Sequence, residues 1–155
     1  MNRKILAIFA LLIVAASVGA VSAFSLSDLT GSGASDEKVT IDGFDFNIPA
    51  GFEEEVPLAI NGDVNESQGI QYTTWGKTFS KGSNEVISIG VATYDGVEVE
   101  DYVAEYVGGD KLSVNGVDGY EYNVSPFEGF VYAKEGKLVI ITVSDASLLE
   151  DIVIA

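Results

Sequence analysis

Apolar and polar residues alternate in two segments of the chain that are alike. Ile41–Ile48 reads IDGFDFNI and Val117–Val124 reads VDGYEYNV, each with an aromatic–acid–aromatic core. A period of two places alternate side chains on one face, which is typical of a half-buried strand. The glycine in each segment favours a turn or bulge with positive φ. We therefore expect the folded part of the chain to be built around these two β elements.

Turn dipeptides beside these segments predict β-hairpins. Val39–Ile48 contains Asp42-Gly43, and Asn115-Gly116 stands directly before the second alternating segment. Both dipeptides favour the two-residue type I′ turn that joins antiparallel strands. We expect one hairpin at each position.

Four further segments have the composition of strands. Gly69–Ser80 is rich in threonine and aromatic residues, with a bulge expected at Gly76, and Val86–Tyr94 reads as a buried strand. Phe127–Ala133 and Leu138–Val143 flank a charged turn and predict a third hairpin. Since the last of these, LVIITV, has almost no polar face, we expect it at the centre of a sheet.

Two segments have helical periodicity. Val97–Val107 carries a single apolar stripe, and Asp95 before it and Glu98 within it have the spacing of a capping box. Ser147–Ile154 predicts a short final helix capped by Asp145.

The order of elements predicts an α+β fold: an antiparallel β-sheet of about six to eight strands with two packing helices, preceded by an N-terminal apolar helix and a flexible linker. Glu53–Ser67 is polar and lacks a sustained period, so we expect a loop there, with a short element at Val56–Ile60. The similar hairpins in the two halves indicate either an internal duplication or convergent turn chemistry.

The N-terminus has the pattern of a targeting segment. Arg3 and Lys4 precede Ile5–Phe24, which contains no charged residue. A cleaved signal peptide and a retained membrane anchor both fit this pattern. We assign residues 1–24 to that segment, residues 25–38 to a flexible linker and residues 39–155 to one folded domain. Either interpretation places the domain outside the cytoplasmic membrane, secreted or anchored to it through Ile5–Phe24.

Composition excludes several classes of function. The chain has no cysteine and no histidine, so Ser–His–Asp triads, Cys–His pairs and histidine-based zinc sites cannot form within it. Its 24 acidic and 8 basic residues give a net charge of −16, which disfavours binding to nucleic acid. The acidity serves solubility or attracts cations or a basic partner. No pair of carboxylates has a distinctive spacing, so we expect neither an enzyme nor a cofactor.

Asn61, Asp63 and Asn65 have the alternating spacing of a calcium-binding loop. However, Glu66 replaces the glycine of that motif, and Tyr72 stands where the closing glutamate is needed. The segment therefore lacks the residues that shape and close a calcium site, and a solvated loop is the simpler interpretation.

Three aromatic residues, Tyr72, Trp75 and Phe79, are candidates for an exposed binding surface for a peptide, glycan or polymer, but packing into the core or its rim is the simpler interpretation. In a strand, Trp75 and Phe79 share one face and Tyr72 lies on the other. Asn65 and Asn123 each begin an N-x-S sequon and are candidate glycosylation sites.

The segments IDGFDFNIPAGF, VNGVDGYEYNV and FVYAKEGKLVIITVSDASLLEDIV together resemble small exported or membrane-anchored proteins of methanogenic archaea. The resemblance covers most of residues 39–155 and implies one β-rich domain behind an apolar N-terminus and a tether. More remotely, the start FNIPAGF at residues 46–52 and the β-rich order with a closing helix are similar to the fold of the family of the photosystem II extrinsic subunit P and its relatives. Neither resemblance transfers functional residues, because the shared motifs are structural.

These observations predict a non-catalytic extracytoplasmic domain that binds a protein or envelope partner and presents an exposed aromatic patch. The alternative is a carrier of a small apolar ligand or lipid, held between the sheet and the helices. A carrier requires an apolar cavity larger than ordinary packing leaves.

Overall fold

The computed structural model describes residues 36–67 and 69–155. In this part the chain forms ten strands, two short α-helices and one 3₁₀ helix. The elements follow in the order β1 (Glu37–Ile41), β2 (Phe44–Ile48), β3 (Glu53–Glu54), the 3₁₀ helix (Val56–Leu58), β4 (Ile60–Ser67), β5 (Ile70–Lys81), β6 (Glu85–Tyr94), α1 (Asp101–Val107), β7 (Lys111–Val114), β8 (Val117–Val124), β9 (Phe127–Lys134), β10 (Lys137–Val143) and α2 (Leu148–Ile152).

Eight of the strands form one antiparallel sheet, and β1 and β2 form a separate hairpin. The order across the sheet is β3-β5-β6-β10-β9-β8-β7, and β4 also pairs with β5. Strand β10 lies between β6 and β9, which confirms the predicted central position of LVIITV. The antiparallel sheet and two small helices confirm the α+β class.

One face of the sheet, here called the hairpin face, is covered by β1, β2 and α2. Phe46 and Ile48 of the hairpin and Ile152 of α2 are each at most 1% exposed. They pack in one apolar cluster with alternate residues of the sheet, among them Ile89 and Ile141. Because β1 and β2 alternate between buried and exposed side chains, the hairpin can seal this face while its outer side stays polar.

The opposite face, here called the helix face, carries α1. Val103 and Ala104 of α1 are fully buried and share a second apolar cluster with Leu138 and Ile140 of the central strand. Helix α1 ends at Gly108, where an added Cβ would overlap the Cβ of Tyr120 on β8. Glycine therefore allows the end of the helix to lie directly against the sheet.

All three predicted hairpins are confirmed. The turns at Asp42-Gly43 and Asn115-Gly116 have positive φ at both residues, as type I′ turns require. The third turn, Glu135-Gly136, has the same geometry.

The two alternating segments are not structurally equivalent, however. Asp42-Gly43 forms a turn, whereas Gly119 of the second segment lies inside β8, so the expected turn or bulge at this glycine is wrong. An added Cβ at Gly119 would meet the Phe130 ring at 2.7 Å. Gly119 thus serves close packing.

The predicted loop at Glu53–Ser67 is wrong. Both β3 and β4 in this segment pair with β5, and the 3₁₀ helix between them accounts for the short element expected at Val56–Ile60. Every described residue of β4 is exposed or half-buried, so this edge strand has no apolar alternation that would identify it. The register shift lies in β4 between Asn61 and Asp63, and not at Gly76 as predicted.

Both helices are shorter than predicted. Helix α1 begins at Asp101, since Val97 forms a bridge with Tyr94 and the Val99 amide donates to the Gly136 carbonyl. Its N-cap is Glu100, which makes no side-chain cap bond, so the capping box predicted from the sequence is wrong. The N-cap of α2 is Ser147 and not Asp145 as predicted, and Asp145 accepts hydrogen bonds from the amide and the hydroxyl of Ser147.

The predictions for the N-terminal apolar helix, residues 1–24, and for the linker as far as residue 35 lie outside the described residues. Strand β1 begins at Glu37, so the last two residues assigned to the linker belong to the fold. Within residues 36–67 and 69–155, no helix has the length and apolarity needed to span a membrane.

Candidate functional site

The three candidate calcium ligands lie on β4 and do not converge. Asn61 is aligned with Trp75 on β5, and Asp63 is aligned with Thr74, the adjacent residue. Because neighbouring residues of a strand point to opposite faces, the register shift separates Asn61 from Asp63 and Asn65. Among the described residues, no group of three or more acidic side chains could hold a metal ion.

The three candidate aromatic residues are divided between the two faces of the sheet. Tyr72 lies on the helix face, with its ring centroid 6.1 Å from that of Tyr94. Trp75 is half-buried on the hairpin face, beside Gly62. Phe79 is 1% exposed and belongs to the core of that face. The structure therefore does not bring the three rings into one exposed patch, and their role in binding stays a prediction.

Both sequon asparagines are exposed. Asn65 lies on the edge strand β4, where its side-chain amide donates to the Asp63 carbonyl at 3.3 Å. Asn123 lies near the end of β8. A glycan at either position stays a prediction.

The strongest candidate site is a cleft of about 530 Å³ at the opposite edge of the sheet from β4. Strands β7 and β8 form its floor, and the start of α1 forms one wall. The register pairs Lys111 with Tyr120 and Ser113 with Asp118, so these four side chains share the helix face. Asp101 of α1 completes the polar lining.

One hydrogen bond fixes the wall of the cleft to its floor. The Tyr120 hydroxyl donates to Asp101 Oδ2 at 2.8 Å, and Tyr120 is only 3% exposed. The bond to Asp101, together with burial and the negative charge of Asp101 and Glu105, raises the pKa of Tyr120 to about 12. The phenol, protonated at neutral pH like any tyrosine, donates this bond and holds Asp101 of α1 against β8.

The exposed side chains that line the cleft are polar or charged. Asp101 and Asp118 supply exposed carboxylates, Ser113 supplies a hydroxyl and Lys111 supplies one ammonium group. Such a site can accept hydrogen bonds from a cationic or amide-bearing ligand.

Sequence reasoning missed this cleft. The alternation of β8 predicts that Asp118 and Tyr120 share a face, and the Asn115-Gly116 turn aligns Ser113 and Lys111 with them. The position of Asp101 could not be found in this way, because it depends on where α1 packs against the sheet.

The two apolar clusters consist of buried side chains from the sheet, the β1–β2 hairpin and the helices. Val103 of α1 and Ile141 of β10 are 0% exposed on opposite faces of the sheet. Two smaller clefts, of about 380 and 360 Å³, lie near Asp95 and near Asp110. Both have exposed polar residues in their lining.

Comparison with known proteins gives no match: no family model, no curated protein and no solved structure is significantly similar to this chain.

Proposed function

We propose that this chain is a non-catalytic, extracytoplasmic binding domain that recognises a basic segment of a protein or envelope partner. The observation that supports this most is the cleft of about 530 Å³ with Asp101 and Asp118 in its lining. The net charge of −16 favours encounter with a cationic partner and disfavours an anionic one.

The domain acts outside the cytoplasmic membrane and binds its partner without catalysis. The segment Ile5–Phe24 exports the domain and is either removed or kept as an anchor in the cytoplasmic membrane. The absence of histidine and cysteine from the chain leaves few groups suited to catalysis at neutral pH. The resemblance to small exported archaeal proteins agrees with this location. Carriage of a small apolar ligand remains an alternative proposal.

The location is tested by the mass of the native protein in separated membrane and soluble fractions. A species beginning at Phe24 in the secreted or soluble fraction indicates export with cleavage. Full-length protein in the membrane fraction indicates an anchor. Full-length protein in the cytosol contradicts the proposed location.

Binding is tested by titrating the protein with a lysine-rich peptide and an uncharged peptide of equal length at low and moderate salt. Asp118→Asn should weaken binding of the lysine-rich peptide several-fold, because it removes a carboxylate from the cleft. Glu66→Gln is the matched control: it removes the same charge from β4, at the other edge of the sheet. An equal loss in both variants would indicate attraction to the overall charge and contradict a role for the cleft.

A further inference from the structure

A single side chain ties the turn between β7 and β8 to the C-terminal segment, residues 148–155. Asn115 donates from Nδ2 to the carbonyl oxygen of Glu150 at 2.6 Å and to that of Val153 at 2.9 Å. Both carbonyls belong to the end of α2, where backbone oxygens have no partner within the helix. Asn115 therefore satisfies the end of α2 from a distant part of the sequence.

The tied segment closes the hairpin face. Leu149 and Ile152 of α2 are 4% and 0% exposed, and Val153 forms a bridge with Phe46 of β2. Release of this segment would expose apolar side chains of the core. The bonds from Asn115 thus hold an element on which the whole face depends.

Asn115 is followed by Gly116, and asparagine before glycine is prone to deamidation because glycine leaves the following amide nitrogen unhindered. We propose that Asn115 is a deamidation site that the native fold protects, and that its modification releases the C-terminal segment. In this reaction the Gly116 nitrogen attacks Cγ of Asn115, forming a C–N bond. The Cγ–Nδ2 bond breaks, and the side-chain nitrogen takes up the proton given up by the Gly116 amide and leaves as ammonia. Water then opens the resulting succinimide to aspartate or isoaspartate.

The two hydrogen bonds from the Asn115 side chain protect it from deamidation in the native fold. The departing atom, Nδ2, is the donor in both, and Asn115 is held at φ 50° in a tight turn. To close the ring, the side chain must swing away from both carbonyls towards the Gly116 nitrogen. Deamidation of the native protein therefore requires the C-terminal segment to open first.

Deamidation releases the C-terminal segment because it replaces the amide donor of Asn115 with a carboxylate, which can only accept hydrogen bonds. The aspartate produced is ionised at neutral pH and would face the carbonyl oxygens of Glu150 and Val153, with no proton to share. Isoaspartate adds a methylene to the backbone, which a two-residue turn cannot accommodate without losing its register. Either product disfavours the closed position of α2.

The chain contains an internal control, Asn61-Gly62, with the same reactive dipeptide. Asn61 is exposed on β4, and within the described residues its side chain makes no hydrogen bond to the C-terminal segment or elsewhere. Opening of residues 148–155 should therefore leave the reactivity of Asn61 unchanged.

The test follows deamidation of both asparagines by peptide mass spectrometry during incubation at mildly alkaline pH, in buffer and in denaturant. For Asn115 we expect a rate in buffer about tenfold or more below that in denaturant, since opening breaks two hydrogen bonds. Ile152→Ala should loosen α2 and raise the Asn115 rate selectively. If both asparagines accelerate together, global unfolding is responsible and the proposal fails. It also fails if the Asn115 rate is the same in buffer and in denaturant.

A second measurement examines release directly. Asn115→Asp should increase hydrogen exchange at the amides of residues 148–155, whereas Asn61→Asp should leave those amides unchanged. Unchanged exchange in Asn115→Asp would overturn the proposed release. If Asn115→Asp fails to fold, wild-type protein aged until Asn115 is modified supplies a mixture of the aspartate and isoaspartate forms, and unchanged exchange in that mixture would overturn the proposed release.

Discussion

Tyr122 lies directly across Gly129 of the neighbouring strand. The two residues are aligned in the β8–β9 register, and an added Cβ at Gly129 would overlap the Tyr122 ring. The ring crosses β9 so that its hydroxyl donates to the Ile141 carbonyl at 3.3 Å and hydrogen-bonds to Thr142. A glycine without a side chain thus lets one tyrosine connect three adjacent strands.

We predict that Gly129→Ala destabilises the protein by about 1–3 kcal/mol, the usual cost of overpacking a core. The added Cβ would also lie 2.7 Å from the Ile141 carbonyl oxygen. Urea denaturation measures the change. Gly90→Ala is the control, because the nearest atom to its Cβ is the Trp75 carbonyl oxygen at 3.9 Å. Equal losses in the two variants would contradict a specific packing role for Gly129.

Lys137 should contribute more to stability than Lys38. Lys137 Nζ lies 2.8 Å from Asp42 Oδ2, donates to the Asp42 carbonyl and lies over the Phe44 ring. We expect Lys137→Gln to lower the free energy of unfolding by about 1 kcal/mol, since a half-buried charged bond and a cation–π contact are lost.

The control for this prediction is Lys38→Gln. Lys38 pairs with Asp45 at 2.8 Å, but the two side chains are 61% and 41% exposed. The bond from Lys38 lowers the pKa of Asp45, yet solvent screens the pair, and we expect no measurable loss of stability. A larger loss in Lys38→Gln than in Lys137→Gln, measured by urea denaturation, would contradict this ranking.

Alkaline pH should destabilise the fold through its tyrosines. Burial raises the pKa of Tyr122 to about 12, and the bond to Asp101 raises the pKa of Tyr120 to about 12. In the unfolded chain these groups ionise near their ordinary pKa of about 10, so the unfolded state releases protons first. Their contribution is complete below pH 10 and declines as the pH rises towards 12. Unfolding midpoints measured across this range should fall.

The variant Asp101→Asn distinguishes the titration of Tyr120 from that of Tyr122. Removing the carboxylate should lower the pKa of Tyr120, because its largest cause is lost, and leave that of Tyr122 unchanged. Ring ¹³Cζ chemical shifts report each ionisation separately. An unchanged Tyr120 titration would show that the bond to Asp101 has no influence on it.

Replacing Phe79 should lower the stability of the protein more than replacing Trp75, although both residues belong to the predicted aromatic surface. Phe79 is 1% exposed, so Phe79→Ala should cost about 3–5 kcal/mol through the cavity it leaves. Trp75 is half-buried at the rim of the same cluster, and Trp75→Ala should cost less. Thermal and urea denaturation test the order, and a smaller loss for Phe79→Ala would contradict it.

Local sequence determined the three hairpins and the central strand. A type I′ turn forms where two adjacent residues tolerate positive φ, and Asn115 and Gly116 are two such residues. A strand buried on both faces, such as Leu138–Val143, is identified by its continuous apolar residues. These signals act over a few residues, so the rest of the chain is not needed to interpret them.

Tertiary structure alone decided the pairing of Ile60–Ser67, the start of α1 and the candidate cleft. An exposed edge strand is held by backbone hydrogen bonds to its neighbour, and these leave no pattern in the side chains. Helix α1 begins late because the Val99 amide finds its partner in the distant Gly136 carbonyl. Asp101 meets Tyr120 for the same reason: contacts between residues far apart in the chain arise from packing, which no local pattern encodes.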